Sequence, residues 1–145
     1  MNEILQNNQL AENINQYIVS APLIARRRKA GQFVIIRIDE PGERIPLTIA
    51  DADPKQGTIM LVVQAVGKST ARMATLSVGD TLLDVVGPLG APTHIANYGT
   101  AVIIGGGIGI APAHPIAQAL KQAGNTVISV LGARNKDLIV MEEDM

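Results

Sequence analysis

Ala101-Val102-Ile103-Ile104-Gly105-Gly106-Gly107-Ile108-Gly109-Ile110-Ala111-Pro112 is the stretch around which the chain is organised. A short β-branched run enters a glycine cluster, and a helix-forming stretch, Pro115 to Gln122, follows. That order predicts strand, tight turn and helix. Glycine lets a backbone approach a ligand closely, and the free N–H groups at the start of a helix suit a phosphate. The alternative is a plain turn without ligand, for which four glycines would be a conformationally costly choice. The usual dinucleotide fingerprint, Gly-x-Gly-x-x-Gly, is not met. Gly105 and Gly107 fit it, but position 110 is Ile, and the next strand ends in Gly132-Ala133-Arg134 without the expected acidic residue.

Downstream, Gly124-Asn125 reads as a helix stop with a C′ glycine, and Thr126 to Leu131 as a second strand. This is one βαβ unit, with a right-handed crossover expected. Asn135 to Met145 is predicted to begin a second helix. A parallel sheet needs several strands and cover on both faces, so the unit reads as an incomplete domain, either a fragment or one completed by a partner.

Upstream, six short strands are expected: Ile4 to Leu10, Ile14 to Ser20, Gln32 to Ile38, Ile45 to Ala50, Thr58 to Val66 and Thr81 to Val86. Pro46 should place its strand at an edge or at a strand start. Pro22 opens one helical turn, and Ser69 to Leu76 is a short helix with Ser69 as N-cap. This spacing favours a small closed β-barrel or a sandwich. His94 to Thr100 is the expected linker, which divides the chain into 1–96 and 97–145.

Composition narrows the function. Apolar residues make up 47% of the 145, enough for a packed core, and aromatics only 2%, so that core must be aliphatic. Phe33, Tyr17 and Tyr98 leave few stacking partners for a flavin or nicotinamide. A net charge of -1 argues against nucleic acid as a partner. The basic cluster Arg26-Arg27-Arg28-Lys29 is a solvated turn or a dock for an acidic partner or phosphate. There is no cysteine, so disulfides and thiolate iron–sulfur ligation are excluded within these residues. No apolar run is long enough to span a membrane and no signal peptide opens the chain, which makes a cytoplasmic location the expectation. Two histidines, His94 and His114, and no clustered carboxylates predict no metal site. His114 reads as a solvated histidine at a helix start, or as a ligand contact. No catalytic acid–base arrangement stands out.

Two further motifs bear on phosphate. Val66-Gly67-Lys68-Ser69-Thr70 resembles the end of a Walker A loop, but the first glycine of that motif would fall at Val62. It reads as a phosphate-binding loop or a bland one. In Arg44-Ile45-Pro46-Leu47-Thr48, Arg44 can contact a phosphate bidentately and Thr48 offers a hydroxyl. By itself this is a surface strand.

Taken in order, these motifs, with Gly87-Pro88-Leu89-Gly90 between them, resemble the ferredoxin–NADP reductase superfamily. Within it they resemble the flavin subunits of NADH-dependent ferredoxin:NADP oxidoreductase and sulfide dehydrogenase, and the electron-transfer subunit of dihydroorotate dehydrogenase. The resemblance spans nearly the whole chain. It implies a six-stranded antiparallel Greek-key barrel that binds FAD, followed by the start of an α/β pyridine-nucleotide domain. By resemblance, Arg44 pairs with the FAD pyrophosphate, and Pro46, Leu47 and Thr48 border the isoalloxazine. Val63 and Gln64 line the cofactor, and Gly67, Lys68, Ser69 and Thr70 hold the pyrophosphate. Gly106, Gly107 and Gly109 let the nicotinamide approach, with Ala111 and Pro112 shaping the turn. The implied activity is electron transfer from NAD(P)H through FAD to an iron–sulfur partner subunit. The alternative is a non-catalytic flavin-binding or docking module. The family's [2Fe–2S] centre needs cysteines that these residues lack.

Overall fold

The computed structural model describes all residues, 1–145. Six strands form the first unit: β1 (Ile4–Ala11), β2 (Ile14–Ser20), β3 (Phe33–Arg37), β4 (Arg44–Asp53), β5 (Thr58–Gln64) and β6 (Asp84–Leu89). Their order is β1-β2-β5-β4-β3-β6, with every pairing antiparallel. β3, β4 and β5 form a meander, and β6 returns beside β3, which is a Greek key. The sheet closes through the segment before β6. Ile4 N–H donates to Asp80 O (2.8 Å), Gly79 N–H to Ile4 O (2.8 Å) and Leu82 N–H to Asn2 O (2.9 Å). The six-stranded antiparallel barrel is therefore present, and closure removes the free edge of β1.

Alternation along the strands sends one face of each inward. Ile36, Ile49, Ile59, Leu61, Met73 and Leu82 are fully buried inside the barrel, with Tyr17 the one aromatic at its centre. The Tyr17 hydroxyl donates to the Met73 carbonyl at 3.0 Å. Burial raises its pKa above the ordinary 10.0. Above that pH the unfolded chain loses this proton before the folded one, so stability falls as pH rises through the alkaline range. Tyr17→Phe should cost about 1 kcal/mol at neutral pH and flatten that alkaline loss, as read by thermal unfolding at several pH values.

Helix α1 (Pro22–Arg27) starts on its proline, as expected. Arg26, Arg27 and Lys29 are exposed, while Arg28 pairs with Asp51 at 2.9 Å and ties α1 to β4. Pro46 is tolerated because the first half of β4, Arg44 to Thr48, pairs with β3 alone. Helix α2 (Lys68–Ala74) corrects one expectation: its N-cap is Gly67, not Ser69. Thr70 Oγ1 reaches back to accept from Val66 N–H (3.0 Å) and Gly67 N–H (2.9 Å), which starts the helix one residue early. β6 also lies later than expected. Thr81 bridges to Glu3 and Leu82 bonds to Asn2, so the chain joins β3 only from Asp84. Gly87 sits at the β3–β6 register shift, where a Cβ would lie 2.8 Å from Val34 Cγ1.

Residues 91–98 carry no regular structure. β7 (Thr100–Gly106) then pairs in parallel with β8 (Thr126–Gly132). Between them a 3-10 turn, Gly107–Gly109, runs directly into α3 (Ile110–Gln122). The helix begins five residues before the expected Pro115. Pro112 lies in the first turn, where no intrahelical N–H bond is lost, and Pro115 is carried inside. Gly124 ends α3 with φ +94, as the C′ glycine should.

The expected helix after Asn135 does not form. Only a 3-10 turn, Lys136–Leu138, is present. Met141 takes φ +57, which breaks helical continuation, and adjacent Val140 and Met141 are both buried. They pack with Ile110 and Ala111 against Ile14, Ala50 and Val62 on the outer face of the barrel. The second unit thus uses the barrel wall as part of its core. α3 covers one face of the β7–β8 sheet, while Val102, Ile104, Ile128 and Val130 share the other face and are exposed.

Candidate functional site

Strand alternation sorts the residues of Arg44-Ile45-Pro46-Leu47-Thr48. Ile45 and Leu47 pack onto the barrel core. Arg44, Pro46 and Thr48 therefore point together from the outer face of β4. Leu47 can meet a ligand there only through its main chain. On β5 the same rule applies: Val63 is buried in the barrel core, whereas Val62 and Gln64 face outward. Val63, like Leu47, offers only its backbone to that side.

The loop leading into α2 brings a second group. Ser69 Oγ donates to Glu43 Oε2 at 2.7 Å, which places α2 beside the start of β4. Lys68 is exposed and has no ion-pair partner. Thr70 is spent locally, since its hydroxyl also donates to Gly67 O at 3.2 Å. It shapes the loop rather than presenting a free hydroxyl. Arg44 is 61% exposed, and its guanidinium lies 3.5 Å from Asp84 Oδ2. Such an exposed pair is weak, so Arg44 is available for a better-matched anion. Glu43 and Asp84 were not legible as site residues. They reach Ser69 and Arg44 only in the folded barrel: Glu43, at the start of β4, meets α2, and Arg44 and Asp84 both lie opposite Arg37, on either side of β3.

The glycine turn docks against β5, and α3, which follows it, docks against β4. Ile108 and Ala111 join the apolar cluster containing Ala50 and Val62, so the turn faces the same outer wall as Gln64. Its glycines divide into two roles. A Cβ on Gly105 would sit 3.1 Å from both Ile110 Cα and Cγ1, so Gly105 allows helix and strand to pack closely. A Cβ on Gly106, Gly107 or Gly109 would meet nothing within 4 Å. Gly107 takes φ +55, a backbone conformation that itself favours glycine. At Gly106 and Gly109 neither packing nor backbone conformation requires it, and the bare backbone there leaves room for a ligand. Ala111 is buried at the barrel contact and Pro112 is half-buried in the first turn of α3.

The fold therefore puts Arg44, Pro46 and Thr48 on the outer face of β4, Gln64 on that of β5, and Ser69 beside the start of β4 with Lys68 exposed next to it in the chain, while the open glycine backbone lies against β5. His114 is not the solvated histidine of the sequence reading. It is buried, and its ring nitrogen Nδ1 lies 2.9 Å from Ala50 O. The signal was the stripe Ile110, His114, Ala117 and Leu120 at helical spacing, hidden because the helix start was set too late. No group of His, Cys, Asp and Glu side chains suited to a metal ion is present, and no helix is long and apolar enough to cross a membrane.

No protein-family model matches the chain. It is 48% identical over 144 residues to a Thermotoga maritima homologue of the electron transfer subunit of dihydroorotate dehydrogenase B (NAD(+)), covering 99% of this chain and 51% of that protein. The electron transfer subunit of that enzyme from Bacillus cereus is 34% identical over 146 residues, covering 97% and 56%. The NADH-dependent reduced ferredoxin–NADP oxidoreductase structure, studied for flavin-based electron bifurcation, superposes with a TM-score of 0.98 at 49% identity, covering 100% of this chain and 53% of that one. Phthalate dioxygenase reductase shares the fold, with a TM-score of 0.82 at 18% identity. The chain spans about half the length of the curated relatives it matches. Over that half, it has the fold of the ferredoxin–NADP reductase superfamily and is a homologue of the electron transfer subunit of dihydroorotate dehydrogenase B and of a chain of the NADH-dependent reduced ferredoxin–NADP oxidoreductase structure.

Proposed function

We propose that this chain is the flavin-bearing part of an electron-transfer subunit that takes electrons from NAD(P)H and delivers them to an iron–sulfur partner. The observation that carries this reading is the single wall on which Arg44, Pro46 and Thr48 stand outward, beside the bare backbone of Gly106, Gly107 and Gly109. FAD, when bound, accepts a hydride as an electron pair and releases electrons singly, a conversion the protein orients and tunes but does not itself perform.

Each residue then has a task. Arg44 and Lys68 neutralise the pyrophosphate, and Arg44 exchanges Asp84 for it. Ser69 exchanges Glu43 for a phosphate oxygen. Pro46 and the main chain of Leu47 form an apolar rest for the flavin ring, with the Thr48 hydroxyl offered to its polar edge. Gln64 and the backbone of Val63 border the cofactor from β5. Gly67 keeps the loop close, and Thr70 holds that loop in shape. The turn from Gly106 to Gly109 lets the nicotinamide come near the flavin, with Ala111 and Pro112 fixing where the turn ends. No general acid or base is required for this reading. The cluster that receives the electrons takes its thiolates from outside these 145 residues, which hold no cysteine.

The decisive experiment is reconstitution with FAD followed by anaerobic addition of NADH at saturating concentration. A bound flavin that bleaches supports the reading. Protein that retains no flavin overturns it, and flavin that binds without bleaching leaves a flavin-binding module.

A further inference from the structure

Between the barrel strands and the β7–α3–β8 unit there is one hydrogen bond. His114, 6% exposed, places Nδ1 2.9 Å from the carbonyl oxygen of Ala50. A carbonyl only accepts, so Nδ1 carries the proton and donates. No other side-chain or backbone hydrogen bond joins residues 1–89 to residues 97–145. The rest of this contact is apolar packing, centred on Ile14, Ala50 and Val62 against Ile110, Ala111, Val140 and Met141. Apolar contact is non-directional, whereas a buried hydrogen bond has a required distance and angle. The apolar surface holds the units together, and His114 decides where they stop relative to one another.

Both ends of this bond lead to the proposed site through rigid structure. Ala50 is the residue skipped in the β4–β5 register, where Ile49 faces Leu61 and Asp51 faces Met60. That bulge turns its carbonyl out of the ladder. Thr48 is two positions away on the same strand. On the other side, His114 lies in the second turn of α3, whose N-cap is Gly109 of the glycine turn. We propose that His114 is a positioning residue, which sets the spacing between the glycine turn and the outer face of β4. This rests on the flavin and pyridine-nucleotide reading above.

The test uses His114→Leu, which fills the space without a donor, and His114→Asn, whose amide nitrogen falls near the Nδ1 position. FAD-loaded proteins are mixed rapidly with NADH over a range of concentrations. His114→Leu is expected to lower the limiting bleaching rate about tenfold or more, because small misplacements of reacting groups are costly. The half-saturating NADH concentration and the FAD affinity stay near wild type, and His114→Asn recovers most of the rate. A wild-type rate in His114→Leu, or no recovery in His114→Asn, overturns the proposal. A second readout needs no cofactor: amide hydrogen exchange should quicken at residues 105–114 and 49–51 in His114→Leu and not in the barrel core. If wild-type protein is not bleached by NADH, the functional reading has failed, and exchange alone decides the positioning role, with unchanged exchange overturning it. Should His114→Leu not fold, His114→Gln, whose amide reaches one bond too far, carries the same expectations.

Discussion

Gly106→Val should leave global stability within about 0.5 kcal/mol, as for a surface substitution, and slow reduction of bound flavin by NADH about a hundredfold or more. The backbone at Gly106 is extended, with φ −121 and ψ 124, which valine adopts readily. A Cβ there touches nothing within 4 Å. The added side chain therefore occupies only the space assigned to the nicotinamide. Gly105→Val is the control of opposite sign. Its Cβ would press on Ile110 at 3.1 Å, so it should destabilise the second unit by about 1–3 kcal/mol through overpacking. Thermal unfolding and rapid-mixing kinetics on the two variants separate packing from ligand access. Unaltered reduction in Gly106→Val would mean that the nicotinamide does not use this edge.

Arg44→Ala should weaken FAD binding about ten- to a hundredfold, since one charge-assisted hydrogen bond is worth about 1.5–3 kcal/mol. Little stability should be lost with it. The side chain is 61% exposed and its partner in the ligand-free protein is Asp84 at 3.5 Å. Thr48→Ala should have a smaller effect, near the ~1 kcal/mol of a neutral hydrogen bond. Flavin fluorescence titrations measure both. Wild-type affinity in both variants would remove the outer face of β4 from the site.

Much of the architecture was legible locally. All six barrel strands were expected, most on β-branched residues although β1 (Ile4–Ala11) holds only one, and β6 was misplaced because Thr81 and Leu82 are drawn to the start of β1. The paired prolines of α3 delayed its expected start, although the first turn of a helix tolerates them. The last segment failed as a helix because burying the adjacent Val140 and Met141 outweighs local propensity. In the site, strand alternation was enough to put Arg44, Pro46 and Thr48 on one face. The spent hydroxyl of Thr70 was not visible, since Ser and Thr at a loop–helix junction can serve either a ligand or the cap.

By itself, the sequence determined what acts over a few residues: strand and helix periods, the glycine turn and the order of the candidate site motifs. Tertiary structure alone decided which distant groups meet. Ser69 finds Glu43 across 26 positions, Arg44 finds Asp84 across 40, and His114 finds Ala50 across 64. Propensity and spacing carry no information at such separations. Those pairings follow from barrel closure and from apolar burial between the two units, which bring together backbones that the local pattern leaves independent.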